Sequence, residues 1–176
     1  MRKVTFILIG FFIFCDVIAQ INVTTDTLKK WHRTASKYTR MENYNEALKY
    51  CDMLINAEPK NCKYLGLKAS IFSLINKYDE SEKVLFNLLN YGCDSIRCYT
   101  MLSDIQSYQK NYIKALKYMD SAIGLKPDSA ELYIDKAHIY TLLRDKENDI
   151  KNLQKAKSLG SKRAAELLEI IEHPEK

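Results

Sequence analysis

From residue 28 onward the hydrophobic and polar positions recur with a single spacing. Blocks beginning at Leu28, Cys62, Ile96 and Ala130 lie 34 residues apart and stay in phase without insertions. Their eighth position reads Ala35, Ala69, Ser103, Ala137, and their eleventh Tyr38, Phe72, Gln106, Tyr140. The seventeenth reads Tyr44, Tyr78, Tyr112, Lys146, and the twentieth Ala47, Ser81, Ala115, Asp149. The twenty-fourth reads Cys51, Leu85, Met119, Leu153, and the twenty-seventh Leu54, Leu88, Ala122, Ala156. Spacings of three and four put positions four, eight and eleven on one face of a helix, and positions twenty, twenty-four and twenty-seven on one face of a second. Small residues at eight and twenty let the two helices approach closely. Larger ones at four, eleven, seventeen and twenty-four fill the space between pairs. One pair alone leaves apolar surface in water, so stability must come from stacking.

Helix ends are predicted at matching places. Pro59 and Pro127 close blocks one and three, while Gly92 and Gly160 suit left-handed caps in blocks two and four. Asn43, Lys77, Asn111 and Asp145 mark the turn inside each pair, three of the four being turn-tolerant polar residues. After the fourth block, residues 164–172 form a short amphipathic pattern with Leu167, Leu168 and Ile171, suited to capping the stack. The predicted organisation is a leader at 1–19 and a linker at 20–27. Four blocks follow at 28–61, 62–95, 96–129 and 130–163, then a capping helix and tail at 164–176.

The leader is a different material from the rest. Arg2 and Lys3 precede an apolar run from Val4 to Phe14, and Val17-Ile18-Ala19 supplies a small residue before Gln20. That three-part order is the pattern of a secretory signal, too short to span a bilayer comfortably. An uncleaved membrane anchor is the alternative. Cys15 follows Phe14, not the small residue a lipoprotein signal needs, so lipidation there is not expected. The Ala-Gln junction and the Lys-, Asn-, Ile- and Tyr-rich composition resemble exported proteins of the Bacteroidetes. The expected location is periplasmic or outer-membrane-associated.

Composition agrees with a folded helical chain: 47% hydrophobic, 28% charged, five Gly and three Pro. The net charge of +5 falls to +4 when Arg2, Lys3 and Asp16 are removed, and basic residues are interspersed with acidic ones. A mixed-charge surface of that kind gives no nucleic-acid stripe.

Trp31, Ala35, Tyr38, Ala47 and Pro59 of the first block stand where the tetratricopeptide repeat has its Trp, small, Tyr, Ala and Pro positions, at that family's period. The resemblance covers roughly residues 28–172. It implies an all-α solenoid, a right-handed superhelix of antiparallel helix pairs, with four repeats plus a C-terminal capping helix. It further implies that the first helices line a concave face for peptides or partner proteins. Two residues depart from the pattern. Gln106 replaces an aromatic, and Asp149 replaces a small residue, implying either a looser fourth pair or a rim position reached by water.

In this family, positions two, five, nine, twelve and thirteen usually meet the partner. The candidates here are His32, Ser36, Arg40, Lys63, Ser70, Arg97, Asp104, Tyr108 and His138, with Arg40, Arg97 and Tyr108 as the larger anchors. A merely solvated inner face is the competing reading. The carboxylate clamp of chaperone-binding relatives is not expected, because His32 and Ser36 stand where it needs Lys and Asn. Thr39, Ser73, Ser107 and Thr141 recur at position twelve, a pattern expected to keep the inner surface small and wettable.

Four cysteines follow the leader. Cys51 falls in a core column and is expected to be a buried thiol. Cys62 and Cys93 lie at adjoining ends of one antiparallel hairpin, which makes Cys62–Cys93 a candidate disulfide, with Cys93–Cys98 and Cys62–Cys98 as rivals. The absence of a Cys-x-x-Cys pair argues against zinc, and no cofactor is expected. Neither a metalloprotease His spacing nor a glycine-rich phosphate loop occurs, so an enzyme is the least favoured class. The leading expectation is an exported, non-catalytic scaffold for a protein or peptide partner. Its rival is a self-associating module, a homo-oligomer joined through Tyr50, Tyr64, Tyr91 or Tyr118.

Overall fold

The structure, a computed structural model, describes residues 23–173; the leader at 1–19, Cys15 and residues 174–176 lie outside the described residues. Among the described residues there are nine helices and no strand: α1 Thr25–Arg40, α2 Tyr44–Ala57, α3 Cys62–Leu74, α4 Tyr78–Asn90, α5 Ser95–Tyr108, α6 Tyr112–Leu125, α7 Ala130–Leu143, α8 Lys146–Ser158 and α9 Lys162–Glu172. None of them is long and apolar enough to cross a membrane. They fall into two compact units divided after Pro59, α1 and α2 in the first and α3 to α9 in the second.

Polar caps set most helix starts. The Thr24 hydroxyl accepts from the Thr27 amide at 3.2 Å, so α1 begins inside the stretch predicted as linker. Asn61 caps α3 through the amides of Lys63 and Tyr64, Asp94 caps α5 through Arg97, and Ser161 caps α9 through Ala164. Within each pair the first helix ends in a left-handed residue: Glu42, Asn76, Lys110 or Arg144, with φ of 57–62°. The next amide then reaches back to the eleventh-position carbonyl, as in Asn43 to Tyr38 at 2.9 Å and Asn111 to Gln106 at 2.7 Å. Between pairs, Gly92 and Gly160 take φ of 70° and 90°, a conformation glycine adopts without a Cβ penalty.

In the first unit, Ala35 and Ala47 are fully buried together with Cys51 and Leu54. Tyr38 stacks on Tyr50 with centroids 5.9 Å apart.

In the second unit the same columns, Ala69 with Ser81, Ser103 with Ala115 and Ala137 with Asp149, face each other across α3/α4, α5/α6 and α7/α8. Two hydroxyls reach across and donate to the partner helix's backbone, Ser81 to the Ala69 carbonyl at 2.8 Å and Ser103 to that of Ala115 at 2.9 Å. Stacking of pairs uses two further columns, the third (Tyr64, Cys98, Leu132) and the tenth (Ile71, Ile105, Ile139), all buried. Leu132 and Ile139 of α7 thus pack on Ala115, Met119 and Ala122 of α6. Ala164 and Leu168 of α9 complete the last core with Ile134, Ala137, Leu153 and Ala156.

Several expectations need correction. Asp149 is only 7% exposed and accepts from the Thr141 hydroxyl at 2.9 Å, so it is a nearly buried, hydrogen-bonded group at the wall of a hollow, not an exposed rim residue. Gln106 is 1% exposed, donates to Glu82 and Gln109, and accepts from Asn111 at 3.3 Å. Position twelve is not simply wettable surface: Ser73 pairs with Ser81 at 3.0 Å and Thr141 with Asp149, both inside their hairpins. Tyr64 is a core residue at 8% exposure and cannot serve an outer joining surface. Tyr118 is half-buried and stacked on Tyr99, while Tyr91 stays exposed under the Lys60 ammonium.

Candidate binding groove

The inward faces of α3, α5, α7 and α9 line two adjoining hollows in the second unit. The first, about 460 Å³, lies between α3 and α5 and is walled by Ser70, Leu74, Met101, Asp104 and Tyr108, among others. The second, about 800 Å³, runs from Asp104 and Tyr108 to Asp135 and His138 and on to Leu142 and Ile170. Asp104 and Tyr108 belong to both, so the hollows join at the last turns of α5.

Helical geometry explains why these side chains share a surface. Met101, Asp104 and Tyr108 follow at intervals of three and four along α5, as do Asp135, His138 and Leu142 along α7. Tyr108 is 72% exposed, held by stacking on Tyr78 at 6.3 Å in nearly parallel planes. Leu74, Leu142 and Ile170 are likewise more exposed than apolar side chains in a packed stack need to be.

The groove is electrostatically uneven. Asp104 sits at its junction with the carboxyl pKa pushed up to about 6, chiefly because the groove walls strip water from the charge, with the negative charge of Asp135 adding to the effect and His138 opposing it. Asp104 nevertheless keeps substantial solvent exposure, so the walls restrict its hydration without enclosing it. Asp135 is raised for the same leading reason, with Glu131 adding and Arg163 and His138 opposing. Arg163 donates to Glu131 at 2.8 Å, a bridge between α9 and α7 at the groove edge. The Ser107 hydroxyl is buried and finds no hydrogen-bond partner among the described residues. Its opposite number across the hairpin is Ala115, where the equivalent Ser73 and Thr141 meet Ser81 and Asp149.

The structure therefore gathers Ser70, Asp104, Tyr108 and His138 into one groove. Lys63 and Arg97 are exposed at the first turns of α3 and α5 and line neither hollow. His32, Ser36 and Arg40 lie on α1, in the other unit. Met101 and Asp135 stand at position six, which the sequence-based candidates do not include, although it follows position two by four residues. Ile170 carries no signal in the repeat pattern, because α9 follows the fourth block, yet one face of α9 ends the groove while another caps the stack.

Cys62 and Cys93 are joined by a disulfide with a Cα–Cα distance of 5.8 Å, tying the start of α3 to the residue after α4. Cys51 and Cys98 are buried, and burial, followed by the Asp94 charge, pushes the Cys98 thiol up. Among the described residues no three His, Cys, Asp or Glu side chains converge as metal ligands would.

Residues 34–78 match the family described as Fis1 C-terminal tetratricopeptide repeat, and residues 96–129 and 130–160 each match a tetratricopeptide repeat. Over 105 residues the chain is 28% identical to the human protein O-mannosyl-transferase TMTC1, a match taking in 57% of this chain and 12% of that protein. The chain spans only about an eighth of that relative's length. Among solved structures, the crystal structure of MamA protein superposes with a TM-score of 0.64 at 16% identity, covering 84% of this chain and 81% of that one. MamA residues 41 to the end from Desulfovibrio magneticus RS-1 gives 0.63 at 15% identity, covering 77% and 76%. At such identities the likeness is one of fold.

Proposed function

The chain is a tetratricopeptide-repeat protein, and on that premise we propose that it is a non-catalytic interaction scaffold whose second unit holds a polypeptide partner in the groove along α3, α5, α7 and α9. The observation that carries this reading is the pair of joined hollows with an exposed tyrosine at their junction. An aromatic 72% exposed, yet oriented by stacking on Tyr78, is a pre-organised anchor of the type that dominates binding surfaces. A photo-crosslinking amino acid at position 108 tests it in the native cell, with the same probe at Asp120 on the outer side as control. Discrete protein adducts at 108 and none at 120 are expected. Equal labelling at both positions would sink the assignment.

We further propose export, to the periplasm or the outer-membrane surface. The order of charges and apolar residues in 1–19 supports it, as does a disulfide, a bond that persists in oxidising compartments. Mass spectrometry of protein recovered from cells under acid quench should give a chain starting at Gln20 and lighter by two hydrogens than its reduced form. A full-length chain with all five cysteines as free thiols would overturn the proposal.

A further inference from the structure

The groove is apolar at both ends and acidic in the middle, and this arrangement restricts what fits. Leu74 and Met101 stand on one side of the Asp104–Tyr108 junction, and Leu142 and Ile170 on the other, with Asp135 beside the junction on α7. A partner covering both ends must lay some group across the carboxylates. Desolvating them without a counter-charge would be strongly unfavourable. We infer that the groove selects a polypeptide segment with a single arginine or lysine flanked by apolar side chains, the cation seated between Asp104 and Asp135. The inference rests on the reading of this groove as the partner-binding face.

The protein's own charges leave that position open. Arg163 of α9 lines the second hollow and favours the charged form of Asp135, but its guanidinium is bonded to Glu131 at the groove edge, and Asp135 stays raised with it present. His138 from α7 and Lys110 from the α5–α6 turn also line the wall, but with both present Asp104 still titrates near 6. From α3, the facing side chains are the uncharged Ser70, Ser73 and Leu74. Tyr78 and Asn76 complete that side without adding a cation. A ligand guanidinium could donate to both carboxylates at once, because its planar fork presents several N–H groups.

Ionisation of Asp104 makes recognition sensitive to pH. Below about pH 6 that carboxyl takes up a proton and loses its charge. Selectivity should therefore be present at neutral pH and fade as the solution is acidified.

Three pools of nine-residue peptides provide the test. Their outer positions vary among Leu, Ile, Phe and Met, and the central residue is Arg, its uncharged isostere citrulline, or Glu. Retention on the immobilised, oxidised full chain is measured at pH 7.5 and pH 5.0. At pH 7.5 the Arg pool should be held about tenfold better than the citrulline pool, the size expected for a charge-assisted pair. The Glu pool should be held least. That preference should shrink severalfold at pH 5.0 and disappear in the double variant Asp104→Asn/Asp135→Asn, which must still melt no lower than the wild type. If the Arg and citrulline pools are retained equally and Tyr108→Ala weakens both, the charge inference fails while the groove reading stands. If none of the pools is retained, both fail.

Discussion

Asp149 and Gln106 occupy columns where the other blocks place small or aromatic side chains, and both are buried with hydrogen-bond partners. Their partners come from other turns and from a neighbouring pair: Thr141 stands eight residues before Asp149, Asn111 five residues after Gln106, and Glu82 on α4 of the preceding pair. A buried polar group is tolerated when satisfied and costly when not, which a column alignment cannot reveal. Asp104 is the opposite case, a polar residue whose charged form the native groove disfavours. Because its folded pKa lies above the unfolded value of 3.8, the folded state binds more protons between pH 3.8 and about 6, and its stability falls as pH rises through that window. Asp104→Asn should therefore stabilise the chain at pH 7 by no more than about 1 kcal/mol after allowance for solvent screening. The gain should fade as pH falls through that window and be largely lost below pH 3.8, where the carboxyl is mostly protonated in both states. Thermal melts of the two proteins at pH 7 and pH 3.5 check this, and an equal difference at both pH values would contradict it.

At the scale of elements, the turn inside each helix pair is the most regular feature. It is built from a left-handed residue at position fifteen and an amide at sixteen that returns to the carbonyl of eleven. The sequence showed position sixteen through Asn43, Asn111 and Asp145, but position fifteen carries Glu42, Asn76, Lys110 and Arg144 and shares no chemistry. Only backbone geometry identifies it, since the tertiary turn imposes a conformation that Glu, Lys and Arg intrinsically disfavour. A left-handed residue with a Cβ costs roughly 1–2 kcal/mol, and glycine avoids that at a smaller entropic cost. Lys110→Gly should raise stability by about 0.5–1 kcal/mol, read as a higher urea midpoint with unchanged slope. The same substitution at Asn76 should gain less, because Asn tolerates this region. A loss of stability at Lys110 would mean that its side chain contributes more than the turn costs.

Across the whole molecule, each unit must solve the problem of a stack that ends. In the second unit, α9 covers the last pair with Ala164 and Leu168. At the other end of that unit, the α3/α4 pair is tied by Cys62–Cys93, whose partners are 31 residues apart in sequence. Closing a loop of that length constrains the unfolded chain by about 3–4 kcal/mol. Urea unfolding with and without reductant should show a loss of about 2–4 kcal/mol on reduction, and the Cys62→Ser/Cys93→Ser variant should lose the response. An equal midpoint in both conditions for the native chain would show that the bond constrains nothing.

The sequence alone determined the helical class, the 34-residue phase, the paired core columns and the glycine caps. These depend on spacing and residue size within a block, and such information is local. Part of the groove was legible too, because Ser70, Asp104, Tyr108 and His138 sit at fixed positions of first helices. Tertiary structure decided the rest. It showed that the third and tenth columns carry the stacking, that position six joins the groove face, and that α9 both caps and lines. It also placed Asp104 near Asp135 while leaving Arg97 and Lys63 outside the hollows. Those outcomes depend on which helix faces meet and how much water remains between them. Neither quantity is carried by the pattern of any single block.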